Sequence, residues 1–343
     1  MREILKKREW TSVAKRIFAR ARAFLELTKP KISILVTFTT ISGFILSGEN
    51  AESVKTLLLT AFGVLLSAGG VNALNQWMER KRDALMGRTA MRPLPSGRVS
   101  EKSAFIFGVA LSFVGPAVVL ISANALAFAL TILTQFIYLF IYTPIKYRTS
   151  LSTVVGALVG AIPPMIGWAS ATGALDKKAF LLASLLFIWQ IPHFLSLAYA
   201  YRQDYEKAGF KFLPVIDREG KLTAKMVALY GLALIAPNLA LALVSRSGWM
   251  LVGISFLISI AFTYLCLRFL FDTSVRNARR IFRASLIYLP LVLLLLIAGN
   301  QKGYRNLEIA LREDESRLEL RVQPTALSIQ TVQTGEKPTQ ADQ

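Results

Sequence analysis

Nine apolar runs, separated by clusters of charge, leave this 343-residue chain few folds to choose from. They lie near Ile32–Ser47, Thr56–Trp77, Ala104–Ser122, Ala123–Tyr142, Leu151–Thr172, Ala179–Tyr199, Met226–Val244, Met250–Phe271 and Ile281–Ala298. A helix that crosses the hydrocarbon core of a bilayer needs about 20 mostly apolar residues. In lipid every backbone N–H and C=O must be paired internally, so repeated runs of this length are read as helices. The predicted fold class is an all-α integral membrane protein, a nine-helix transmembrane bundle over residues 32–299. A basic segment, 1–31, precedes it, and a polar tail, 300–343, follows with a partly disordered end. The third and fourth runs meet near Ala123 with almost no linker, which predicts a tight helical hairpin. Composition agrees: 54% of residues are hydrophobic and 18% charged, against about 45–50% and about 25% in soluble domains.

The formal net charge is +19, which in a soluble chain would suggest a nucleic-acid partner. Its distribution argues otherwise, and no nucleic acid is expected. Counting residues at the span ends, 30 of the 40 Lys and Arg precede the first run or flank the even-numbered connections. Four flank the odd-numbered ones and six lie in the tail. Positive charge collects on the cytoplasmic side, so the N-terminus is predicted inside and the tail outside. Val13–Leu27 alternates basic and apolar residues at helical spacing and reads as a helix on the inner membrane surface. Glu3, Glu9 and Glu26 make a mitochondrial transit peptide the weaker reading. With one cysteine, Cys266, and one histidine, His193, internal disulfides and multi-histidine metal sites are excluded.

Polar residues near the bilayer boundary carry the chemistry. Asn75, Glu79 and Asp83 stand at i, i+4 and i+8, which places them on one helix face with about 6 Å of rise between neighbours. Three oxygen-bearing side chains there suit Mg²⁺, which prefers hard oxygen donors and binds through one or two carboxylates plus substrate phosphates. The plainer reading is that Glu79 and Asp83 balance Arg80, Lys81 and Arg82 on a solvated helix end. A second acidic cluster, Tyr201–Gly209, offers Asp204 on the same predicted face, and Tyr142–Thr149 adds Lys146 and Arg148 to hold an anion. His193, in Gln190-Ile-Pro-His-Phe194, lies inside the sixth run. Such a histidine is most often hydrogen-bonded structure, here to a carbonyl freed by Pro192; a ligand or acid–base role is the alternative. Pro163-Pro164 is expected to kink the fifth run. Carboxylates, cations and an apolar interior together suit a substrate with a greasy tail and a diphosphate head, hence prenyl transfer.

Asn75-x3-Glu79-x3-Asp83 resembles the aspartate-rich first motif of the UbiA superfamily of intramembrane prenyltransferases. Three longer strings narrow the resemblance: NQWMERKRDALMGRTAMRPLPSG from Asn75, YTPIKYRTSLSTVVGALVGAIPPMIGWASATG from Tyr142 and IPHFLSLAYAYRQDYEKAGFKFLPV from Ile191. They are similar to the heme branch, the protoheme IX farnesyltransferase family, over about Leu27 to Gly299. The chain departs from that pattern at Ser152, where Asn is usual, and at Lys211, where Pro is usual; Asp204 is the only acid carried over from the second motif.

The resemblance implies the UbiA fold, farnesyl diphosphate and heme B as substrates, Mg²⁺ as cofactor and heme O as product. It implies that Asn75, Glu79, Asp83 and Asp204 hold the Mg²⁺–diphosphate. Arg88, Arg92, Lys146, Arg148 and Arg202 would bind or screen its charge, and His193 would face the porphyrin. It further implies a multi-pass protein of the cell inner membrane with its site on the cytoplasmic side, and heme A synthase or terminal-oxidase assembly proteins as candidate partners. The alternatives are a quinone-type aromatic prenyltransferase and a secondary transporter. A transporter tends to show repeated halves with polar residues at the midplane; here no repeat is visible and the acids sit at span ends.

Overall fold

The computed structural model describes residues 2–48, 54–245 and 248–300, with side chains from Lys15 onward. The predicted tail beyond Asn300, disordered end included, lies outside the described residues. Every regular element described is helical: α1 (Arg2–Leu27), α2 (Pro30–Leu46), α3 (Val54–Asp83), α4 (Glu101–Ser122), α5 (Ala125–Phe136), α6 (Thr143–Ile145), α7 (Ser152–Thr172), α8 (Lys177–Ala200), α9 (Arg202–Lys207), α10 (Leu213–Ile216), α11 (Lys221–Ala233), α12 (Ile235–Val244), α13 (Trp249–Phe271) and α14 (Val275–Gly299). A π-helical stretch, Ile137–Tyr142, joins α5 to α6. Eight helical segments are long and apolar enough to cross a membrane. A ninth forms when Lys15–Leu27 and Pro30–Leu46, bent by 51°, are taken as one. This is a multi-pass membrane protein.

Local chemistry sets the ends of these helices. Asn124 caps α5 by accepting from Ala127 N–H at 2.9 Å, and its amide donates to the Ala169 carbonyl at 2.7 Å. One side chain thereby makes the expected hairpin turn and pins it to α7. Asp176 caps α8 through the N–H groups of Lys178 and Ala179. The seventh predicted run is two helices, α11 and α12, meeting at Leu234. Pro237 explains the break, because its ring clashes with the carbonyl four residues earlier, that of Ala233. By contrast α7 continues through Pro163 and Pro164.

Helix α2 lies so close to α7 that a Cβ on Gly43 would collide with the Pro164 carbonyl, and one on Gly167 with that of Thr40. Small residues let membrane helices approach closely, where dispersion rather than water expulsion drives association. The other half of the bundle is built on α8, α11, α13 and α14 around Leu185, Val227, Cys266, Phe269 and Leu293, all fully buried. Large apolar side chains such as Phe113, Ile121 and Phe271 face outward and are at least 75% exposed. In water they would aggregate; in a bilayer they meet lipid.

Candidate active site

The break between α1 and α2 frees backbone carbonyls in a place poor in water, and α3 supplies the donors. Gln76 Nε2 donates to the Leu27 carbonyl at 2.8 Å. Asn72 Nδ2 reaches Ser33 Oγ at 3.2 Å, while Ser33 Oγ donates to the Thr28 carbonyl at 2.7 Å. Lys29, inside the break, takes a left-handed conformation (φ 48°, ψ 63°) and is the sole non-glycine with positive φ among the described residues. Its ammonium donates to Asn75 Oδ1 at 2.9 Å, and Asn75 Nδ2 donates to Thr143 Oγ1 at 3.2 Å. Asn75 therefore has structural partners on both sides.

One and two turns further along α3 stand the carboxylates. Asn75, Glu79 and Asp83 have relative exposures of 1%, 6% and 0%, which excludes the solvated helix end entertained from sequence. Glu79 is ion-paired with Lys146 and accepts from the Tyr147 hydroxyl at 2.8 Å. Burial and then the Glu79 charge hold the Tyr147 phenol well above the ordinary tyrosine value, so it stays a donor. Lys146 is itself buried, 4.7 Å from the centre of the Tyr142 ring. Both oxygens of Asp83 accept from Arg92 Nη1 at 2.8 Å. The backbone carbonyl of Asp83 also accepts from Thr89 Oγ1 at 2.7 Å, which folds the loop after α3 back onto it. Buried charges persist only when paired, and each of these acids has a dedicated cation.

The remaining predicted residues are placed less uniformly. Arg88 Nη2 donates to the Tyr205 hydroxyl at 3.2 Å. Asp204, on α9, is half-buried, and its carboxylate has no hydrogen bond or ion pair among the described residues. Nor do any three of His, Cys, Asp and Glu among them come together around one metal position, so Asp204 is not gathered with Glu79 and Asp83. Arg148 is exposed. Arg202 turns away: its Nη1 donates to the Arg218 carbonyl at 3.3 Å, and its guanidinium lies 4.6 Å from the Tyr199 ring centre. Sequence reading missed Lys29, Thr143 and Tyr147. The signal for Tyr147 was present, since an aromatic hydroxyl in the Lys146–Arg148 loop faced two acids awaiting donors.

Beside this cluster a cavity of about 610 Å³ runs into the bundle between α2, α3, α5, α7, α8 and α14. Arg88, Lys31, Asn72, Tyr142 and Tyr201 belong to its lining. Val64, Val71, Val159, Ile166 and Phe194 are among its apolar walls. Ile32 on α2 and Leu286 on α14 line it while remaining 53% and 42% exposed, so it reaches the lipid-facing surface between those helices. His193 also lines it. The imidazole does not bond a carbonyl freed by Pro192; Nδ1 lies 2.7 Å from Ser285 Oγ on α14. A small hydroxyl in a packed helix–helix contact offered a nearer partner than its own backbone.

Residues 36–287 match the UbiA prenyltransferase family. The chain belongs to that family. Relatives include the protoheme IX farnesyltransferase of Solibacter usitatus, 41% identical over 280 residues that make up 79% of this chain and 96% of the relative. The mitochondrial protoheme IX farnesyltransferase of Arabidopsis thaliana is 37% identical over 276 residues, 79% of this chain and 63% of that one. Among solved structures, a UbiA homolog from Archaeoglobus fulgidus bound to DMAPP and Mg²⁺ superposes with a TM-score of 0.67 at 15% identity, covering 83% of this chain and 99% of that one. At that identity the likeness is one of fold. In this UbiA prenyltransferase Asn75, Glu79 and Asp83 form an oxygen-only donor set on one helix face, which suits a hard divalent cation. Lys146 and Arg92, already touching the two carboxylates, can turn to phosphate oxygens once a metal satisfies the acids.

Proposed function

We propose that this UbiA prenyltransferase moves the farnesyl group of farnesyl diphosphate onto a vinyl group of heme B, giving heme O. The observation that carries the reading is the 41% identity to a protoheme IX farnesyltransferase along 96% of that relative's length. A cavity that joins cations to an apolar interior supports it further. In the proposed reaction the diphosphate lies at the Arg88 end, against Lys146, Arg92 and Arg88. Asn75, Glu79 and Asp83 would hold Mg²⁺, which when bound supplies positive charge to the departing diphosphate, and Asp204, which is not gathered with them, would meet the metal–diphosphate as it binds. The C1–O bond of farnesyl diphosphate breaks, its electrons leave with the diphosphate, and an allylic cation remains among Val64, Val71, Val159 and Ile166. Their side chains keep water from the cation until the vinyl group attacks. A C–C bond forms at the terminal vinyl carbon, water adds to the neighbouring carbon, and one proton is released.

The protein is expected in the inner membrane of the cell, with the site opening to the cytoplasm. Reporters placed within 80–98 and within 202–221 should read the cytoplasmic side; opposite readings for the two connections would break the shared site. The decisive assay incubates membranes containing the protein with heme B, farnesyl diphosphate and Mg²⁺ and weighs the extracted hemes. A product heavier by a farnesyl group plus a hydroxyl, lost on adding EDTA, is expected. Unchanged heme B alongside a prenylated quinone precursor would replace this reading with the aromatic one.

A further inference from the structure

His193 and Ser285 meet where α8 packs on α14. Ser285 Oγ lies 2.7 Å from His193 Nδ1 and 2.7 Å from the Phe282 carbonyl oxygen. A hydroxyl has one proton to give, and a carbonyl oxygen can only accept. Both contacts are hydrogen bonds only if the hydroxyl donates to Phe282 and Nδ1–H donates to the hydroxyl. In a neutral imidazole this leaves the lone pair on Nε2. Nε2 has no partner among the described residues, and the residue lines the cavity.

The ring is held in this orientation from more than one side. Trp189 stacks on it with centroids 4.6 Å apart and planes 19° apart, and Phe282 lies 5.0 Å away. The Trp189 indole N–H donates to the Ser285 carbonyl at 3.0 Å, so a single α14 residue receives both α8 side chains. A histidine serving structure alone would leave a nitrogen without a partner on a residue that lines a largely apolar cavity, which costs free energy unless something binds it. Histidines that ligate metals characteristically donate the other ring N–H to a neighbouring acceptor, which fixes tautomer and direction. Ser285 supplies that acceptor.

We propose that Ser285 is a positioning residue for the acceptor substrate: it fixes the Nδ1–H tautomer of His193, so that Nε2 is offered into the cavity as an axial ligand to the iron of a metalloporphyrin. The inference rests on the heme-farnesylating reading above. Ligation at one point fixes the height and tilt of the macrocycle, and a held geometry raises the effective concentration of the vinyl group at the allylic cation.

The test titrates ferric heme B into the purified full-length protein in lipid nanodiscs, followed by absorption and electron paramagnetic resonance. The unsubstituted protein should give the spectrum of a histidine-ligated heme, and His193→Gln should lose it. Ser285→Ala should weaken heme binding about 10- to 100-fold and make the ligation spectrum heterogeneous. Ser285→Thr, which keeps the hydroxyl, should restore it, and Ser285→Cys, similar in size but a weak acceptor, should fall between. Farnesyl diphosphate binding should be unchanged throughout. A Ser285→Ala or Ser285→Cys protein with the unsubstituted spectrum and affinity, beside a His193→Gln protein that has lost ligation, would overturn the positioning role and leave the heme reading intact. Heme bound without histidine ligation would overturn the inference as well. No heme binding and no heme O from the unsubstituted protein would remove the functional reading with it.

Discussion

Two buried polar networks in this bundle answer the same problem in opposite ways. On the α12–α13–α14 side, Asn238 donates to Ser259 Oγ at 2.5 Å and accepts from Ser255 Oγ at 2.8 Å, and Ser259 Oγ lies 2.9 Å from the Tyr288 hydroxyl. Every member is neutral, and none lines the cavity. On the α3 side, Glu79 and Asp83 are acids paired with Lys146 and Arg92. Neutral hydrogen bonds between membrane helices contribute about 0.6 kcal/mol each, enough to fix how helices meet. A buried ion pair is weak evidence for stability, because desolvation offsets most of the attraction. The first network is read as glue, the second as machinery kept in spite of its cost.

The comparison breaks most visibly at the acids. Asp83→Asn or Glu79→Gln keeps shape and removes charge, and should lower heme O formation per folded molecule by about 100-fold or more, with some loss of stability because Arg92 or Lys146 is left without its partner. Activity within a few-fold of normal would make the charged network structural too. Asp204→Asn should cost about tenfold, seen chiefly as a higher KM for farnesyl diphosphate, since its carboxylate is free to meet an incoming ligand. Asn238→Ala should lower stability by about 1 kcal/mol, read as a lower unfolding midpoint in detergent, with turnover per folded molecule unchanged. Loss of turnover there would couple the two networks. Arg202→Ala should change turnover by less than about twofold, because its guanidinium is engaged with Arg218 and Tyr199; a large loss would return it to the site.

Much of this was legible in the chain, for reasons that differ by element. Hydrophobic length alone located the spans, because lipid leaves a helix no alternative way to pair its backbone. It did not resolve α11 from α12, since a run of apolar residues reads alike on both sides of a break. The i, i+4, i+8 spacing put Asn75, Glu79 and Asp83 on one face, and the structure keeps them there. Their partners were harder. Arg92 is nine residues from Asp83, and Lys146 and Tyr147 arrive from the end of another helix pair. Lys29 was counted with the basic N-terminal segment, and nothing local links it to a residue 46 positions away. Ser285 is 92 residues from His193; the hint was the single serine of the run Ile281–Ala298, which sequence periodicity cannot pair with a partner.

The left-handed backbone at Lys29 has a practical meaning for anyone handling the protein. A non-glycine residue there stores about 1–2 kcal/mol of strain, and it sits at the corner joining the amphipathic arm to the first span. Torque on the arm is delivered to that corner and from there, through the ammonium, to Asn75. An affinity tag or fluorescent partner anchored rigidly at the N-terminus therefore pulls on an oxygen of the proposed metal site, where one attached through a slack spacer does not.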